Sequence, residues 1–124
     1  EPELFQNEHL EIIREIIEER LRSGSCSVRI RNILTSILAS NESTQNKNEF
    51  LEKVKGILTA NGGLTRQLRR ELATMGFEVT EDGSHYKVKI RGDDRYSHSI
   101  SKSPSDFRSA MNNYSEFKER FFNI

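Results

Sequence analysis

His85 is the side chain in this sequence best suited to moving a proton. An imidazole has an unperturbed pKa of about 6.5, so at neutral pH it can take or give a proton without a large penalty. Ser84 precedes it, and Lys87, Lys89 and Arg91 follow at every second position. Successive side chains of a strand point to opposite faces, so this spacing puts His85 and the three cations on one side. A row of that kind can meet several phosphates, each contact displacing a counterion. The plainer reading of the same row is a solvated charged face, with Glu78 and Lys87 as a cross-strand ion pair.

Two turn signals locate the strands that would carry these residues. Phe77 and Val79 alternate with polar neighbours, and Asp82-Gly83 follows as a hairpin signal of the kind that positive-φ turns require. A two-residue loop at Asp82-Gly83 pairs Thr80 with His85, Val79 with Tyr86 and Phe77 with Val88, gathering the apolar residues on one face. A three-residue loop at Gly92 to Asp94 pairs Val88 with His98 and Tyr86 with Ile100. The opposite face then holds Glu78, Thr80, His85, Lys87, Lys89, Arg91, Arg95, Ser97 and Ser99. Two helices can cover one side of a small antiparallel sheet and leave the other to solvent. His98 falls on the covered side, near Val88.

Helices frame this sheet. Leu64, Leu68, Leu72 and Met75 mark one face of a helix that Gly76 ends, with Arg66, Arg69 and Arg70 on its outer side. Ser103-Pro104-Ser105-Asp106 reads as the start of another, with Ser103 as the cap and Phe107, Ala110 and Met111 facing inward. Before Gly62, three apolar stripes predict three helices. Leu10, Ile13, Ile16 (or Ile17) and Leu21 mark the first, which Ser23-Gly24-Ser25 ends. Val28 to Leu38 forms the second, with Ser25 or Ser27 near its start. Phe50, Leu51, Val54, Ile57 and Leu58 form the third, stopped by Asn61-Gly62-Gly63. The fold class is α+β: a helical segment over 1–61, then an α-β-β-β-α domain over 62–124 with a three-stranded antiparallel sheet.

The totals limit the remaining possibilities. Hydrophobic residues are 34% and charged residues 31%, so the core must be modest. Formal net charge is +0, which argues against wholesale coating of nucleic acid. Residues 1–61 carry eight basic and ten acidic side chains, and residues 62–124 eleven and nine. No apolar run is long enough to span a membrane. Cys26 is the single cysteine, which excludes an internal disulfide and Cys-x-x-Cys metal binding and fits a reducing cytoplasm. No phosphate loop, zinc spacing, Ser-His-Asp signature or EF-hand is present, so neither cofactor nor metal is expected. The sequence opens on Glu1 rather than Met, as a processed product or a piece of a longer protein would.

Gly76-Phe77, Asp82-Gly83-Ser84-His85-Tyr86 and Ser97-His98-Ser99-Ile100, followed by a helix start near Ser103-Pro104, resemble the HicA family of bacterial toxins. The resemblance covers about Leu64 to Asn113. It implies a fold like the double-stranded-RNA-binding domain and an endoribonuclease that cleaves messenger RNA. It also implies structured or double-stranded RNA as substrate, an antitoxin as partner, and catalysis by His85. RNA can be cut without metal when a base takes the 2′-hydroxyl proton and an acid protonates the leaving oxygen. Lys87 and Lys89 would steady the phosphate, and Ser84 would orient the ring or the ribose. Arg91, Lys102, Arg66 and Arg70 would grip the backbone, since A-form duplexes are read largely by shape. Family toxins are single small domains, whereas here a helical segment stands in front. The alternative is a non-enzymatic protein-interaction or regulatory module of a larger protein, its helices docking on a partner or on the rest of that protein.

Overall fold

A computed structural model describes residues 1–103 and 106–124. The order is α1 (Glu8–Ser23), α2 (Val28–Ser40), α3 (Asn46–Leu58), α4 (Arg66–Thr74), β1 (Phe77–Asp82), β2 (His85–Ile90), β3 (Ser97–Ser101) and α5 (Phe107–Phe122). The α+β layout is the expected one. The chain divides into two compact units, Glu1–Glu49 with the terminal Ile124, and Phe50–Asn123. The division falls inside α3 rather than at the Asn61-Gly62-Gly63 stop. Phe50, Val54, Ile57 and Leu58 of α3 are buried in the second unit's core, and the Phe50 ring lies 6.1 Å from that of Phe77 and 5.7 Å from that of Phe122.

The first unit is built on polar ties. Gly24, at φ 71°, ends α1, and Ser27 caps α2 by accepting from the Ile30 amide. Arg14 donates to the carbonyls of Leu38 and Asn41, and Arg31 to that of Leu21. The buried Glu11 carboxylate accepts from the Thr44 amide at 2.7 Å and from the Ser43 hydroxyl at 3.1 Å. Burial works to raise the Glu11 pKa, but these donors outweigh it and hold the carboxyl below its ordinary value. Lys47 pairs with Glu15.

In the second unit the three strands form one antiparallel sheet in the order β1-β2-β3. Its covered face presents Phe77, Tyr86, Val88, His98 and Ile100, all buried. Leu72 of α4 and Ala110, Tyr114 and Phe117 of α5 complete this core with the α3 residues. Phe117 packs edge-on to Phe77 at 5.4 Å and against Phe121 at 4.8 Å. Thr65 caps α4 by accepting from the Leu68 amide, and Gly76, at φ 100°, supplies the left-handed residue that turns the chain into β1.

The first hairpin differs from the expected register. Asp82 pairs with His85, Thr80 with Lys87, Glu78 with Lys89 and Phe77 with Ile90. The two-residue loop is therefore Gly83-Ser84, not Asp82-Gly83. Gly83 adopts φ 60° and Ser84 does not enter the positive-φ region, as in a turn needing only its first central residue there. The longer pairing brings Ile90 over Phe77 and lets the Arg91 amide reach the Gly76 carbonyl. The second hairpin has the expected register, Val88 with His98 and Tyr86 with Ile100. Tyr96, which the expected register opposes to Ile90 in the third strand, lies outside β3 and is 38% exposed, with the Arg95 guanidinium 5.1 Å above its ring.

The last helix starts later than expected. Asp106, not Ser103, is its cap, accepting from the Ser109 amide at 2.8 Å. Pro104, expected in its first turn, lies outside the described residues. Phe107 is 65% exposed rather than inward, because the buried stripe of α5 runs through Ala110, Tyr114 and Phe117.

Candidate nucleic-acid interface

The uncovered side of the sheet is a grid of nine side chains. Opposed residues share a face, with Cβ atoms about 5 Å apart. Across the three strands the rows are Glu78–Lys89–Ser97, Thr80–Lys87–Ser99 and Asp82–His85–Ser101. The acids sit on β1, the bases on β2 and the hydroxyls on β3. His85 stands at the end of the central strand between the Asp82 carboxylate and the Ser101 hydroxyl; the expected second hairpin already opposes it to Ser101, whereas the expected first hairpin put Thr80 where Asp82 stands. Only the exact first turn could have revealed Asp82 as its β1 neighbour.

His85 is exposed, and its Nδ1 lies 3.1 Å from Ser84 Oγ. Either atom can donate, according to tautomer. When Nδ1 carries the proton and donates to Ser84, Nε2 presents a lone pair; when Ser84 donates, Nε2 carries the proton. Nε2 engages no described residue in a hydrogen bond. The turn behind this pair is braced from just past β3, where the Lys102 amide donates to the Ser84 carbonyl at 2.9 Å.

The basic row is shorter than its spacing predicts. Lys87 is exposed and makes no ion pair with a described residue. Lys89 is held at 2.5 Å by Asp94 and lies 3.9 Å from Glu78. The Asp94 carboxylate pushes the Lys89 ammonium pKa up, and the ammonium pushes that of Asp94 down. The expected Glu78–Lys87 pair is thus a Glu78–Lys89 pair. Arg91 lies past the end of β2, and its guanidinium donates to the Ala73 carbonyl at the end of α4. Such a contact satisfies a helix carbonyl that has no partner within the helix. Arg95 binds Asp93, whose carboxyl its guanidinium holds down at about 2.

The remaining cations are not on the grid. Lys102 alternates with Ile100 on the covered side. It reaches Glu81 at 3.6 Å and stands 5.3 Å from the Tyr86 ring centre. Arg69 stacks on the same ring at 4.7 Å and donates to the Tyr86 hydroxyl at 2.6 Å. Arg66 and Arg70 are exposed on α4. The candidate residues therefore form two groups: Ser84, His85, Lys87 and Lys89 on the open face, and Lys102, Arg66 and Arg70 away from it. Among the described residues no cluster of His, Cys, Asp or Glu could hold a metal ion, and no helix is long and apolar enough to cross a membrane.

His98, as expected, is buried, 4% exposed and edge-on to Phe117 at 5.9 Å. Burial pushes its pKa down, and Arg120 adds to this, against the opposing Glu116 charge and Asn113 carbonyl. Its place in the core removes it from the open face. No family model, curated protein or solved structure matches the chain.

Proposed function

We propose that the unit Phe50–Asn123 binds structured RNA on its open sheet face and cleaves it without metal, with His85 as the proton carrier. The observation that carries this reading is the Ser84–His85 pair, exposed at the end of β2 with the exposed Lys87 on the same side. His85 Nε2 takes the 2′-hydroxyl proton while Nδ1–H donates to Ser84. The 2′-oxygen attacks the adjacent phosphorus, the bond to the 5′-oxygen breaks, and water supplies the proton for that leaving oxygen. The products are a 2′,3′-cyclic phosphate and a 5′-hydroxyl. Lys87 faces the charge that develops on the phosphate. Lys89, already paired, contributes less, and Arg91 is engaged at the end of α4.

The test compares RNA hairpin degradation and its end groups for the intact chain and for His85→Ala. Loss of a positioned proton carrier costs about 10²–10⁴-fold in rate. Lys87→Glu weakens binding and lowers the salt slope by about one. Equal cleavage by His85→Ala removes His85 from the chemistry. Binding without cleavage by the wild type reduces the reading to recognition alone, and absence of both leaves the unit as a protein-interaction module.

A further inference from the structure

The ladder bonds set how closely the side chains of the open face approach one another. The Arg91 amide donates to the Gly76 carbonyl at 3.0 Å, and the Lys102 amide to the Ser84 carbonyl at 2.9 Å. Along an antiparallel ladder, hydrogen-bonded pairs alternate with non-hydrogen-bonded ones. By the observed register, Glu78–Lys89, Thr80–Lys87 and Asp82–His85 are therefore hydrogen-bonded pairs, whereas Lys89–Ser97, Lys87–Ser99 and His85–Ser101 are not. Opposed Cα atoms lie about 5.5 Å apart in the first kind and about 4.5 Å apart in the second, where side chains are closer. The bases of β2 thus stand nearer to the hydroxyls of β3 than to the acids of β1.

Ser101 brings a hydrogen-bond donor to this place. Its Oγ accepts from the Ser103 amide at 3.2 Å, and its hydroxyl donates to no described residue. On the other flank of His85, the Asp82 carboxylate is exposed and makes no ion pair with a described residue. A phosphate brought to His85 is repelled from the β1 side and met by a donor on the β3 side. Resting on the reading of His85 as proton carrier, we infer that the Ser101 hydroxyl donates to a non-bridging oxygen of the phosphate under attack. The RNA backbone then runs over β2 and β3, from the His85–Ser101 row to the Lys87–Ser99 row. It stops short of Lys89, whose charge Asp94 and Glu78 already take up. The Ser101 bond moves no proton; it strengthens as negative charge builds on the phosphate oxygen.

The experiment is single-turnover cleavage by the full chain of an RNA hairpin with sulfur in place of one non-bridging oxygen at the cleavage position. Sulfur is a weak acceptor. The wild type is expected to cut one sulfur diastereomer about tenfold more slowly than the other, the loss of one hydrogen bond to a charged group. Ser101→Ala is expected to cut the all-oxygen RNA about tenfold more slowly than wild type and to lose the preference between diastereomers. Its binding of a 2′-deoxy hairpin should change by less than about threefold, since the bond matters most in the transition state. Ser101→Thr keeps the hydroxyl and restores both rate and preference. Thr80→Ala removes a hydroxyl from the β1 side and should stay within about twofold of the wild-type rate. Ser101→Ala cleaving as fast as wild type, or slowly but with the diastereomer preference intact, would overturn the inference and leave His85 in its role. Slowing by Thr80→Ala equal to that by Ser101→Ala would place the phosphate on the β1 side and overturn it as well. A wild type that leaves all RNA uncut removes the His85 reading and this inference together.

Discussion

The two units place their apolar side chains differently. Phe50–Asn123 encloses Phe77, Phe117, Leu72, Val54 and Val88 almost completely, and the rings of Phe50, Phe121 and Phe122 pack within 6.1 Å of Phe117 or Phe77. Glu1–Glu49 contains as strong a set of Ile and Leu stripes, yet none of those side chains is buried. Its order comes from Arg14, Arg31 and Glu11 reaching backbone and hydroxyl groups. An apolar stripe becomes core only when a second layer covers it, and a pair of helices offers too little second layer. Global stability therefore belongs to the α+β unit, while the helical pair is held by directional bonds that can open locally.

The sharpest way to break this contrast is Phe77→Ala. Phe77 has no exposed surface and touches rings from α3 and α5, so its truncation is expected to cost about 3–5 kcal/mol. Urea unfolding measures it, and a loss below about 1 kcal/mol would mean the aromatic cluster is not the core's keystone.

Glu11→Ala tests the other side. It strands the Thr44 amide and the Ser43 hydroxyl, a loss of about 1–3 kcal/mol. Hydrogen exchange is expected to speed up in α1 and around residues 43–47 while β2 amides keep their protection. Equal loss in both would show that the units unfold together.

The smallest effect separates the core by pH. The folded His98 pKa lies below its unfolded value, so the unfolded chain binds the extra proton. The contribution of neutral His98 is complete above about pH 6.5 and declines as pH falls toward the folded pKa, by at most about 1.4 kcal/mol per pH unit. The stability difference between wild type and His98→Phe between pH 7 and 5 reads it out, and a difference that does not change over that range would place the imidazole in water.

Much of the fold was legible in local pattern. Alternation at Phe77–Val79 and Tyr86–Val88 assigns faces, and that assignment survives the corrected register, because pairing that moves by two positions exchanges no side chain between faces. The same property explains the error. Face pattern cannot tell Asp82-Gly83 from Gly83-Ser84 as the loop, so the β1 neighbour of His85 is misplaced in the sequence reading although its outward direction is not. The shortening of the basic row was not legible either. Arg91 leaves it for the Ala73 carbonyl and Lys89 for Asp94, contacts that join residues from separate turns and helices.

From sequence came what depends on neighbours a few positions apart: the five helices and three strands, the Gly24 and Gly76 stops, a serine at the start of α2 (Ser25 or Ser27), the inward His98 and the outward His85. Tertiary structure alone decided which stripes are covered, that α3 contributes Phe50, Val54, Ile57 and Leu58 to the second unit's core, and which of the cations beside His85 are drawn into ion pairs among the described residues. Those outcomes follow from which surfaces meet in space, and burial and ion pairing are properties of that meeting rather than of any single segment.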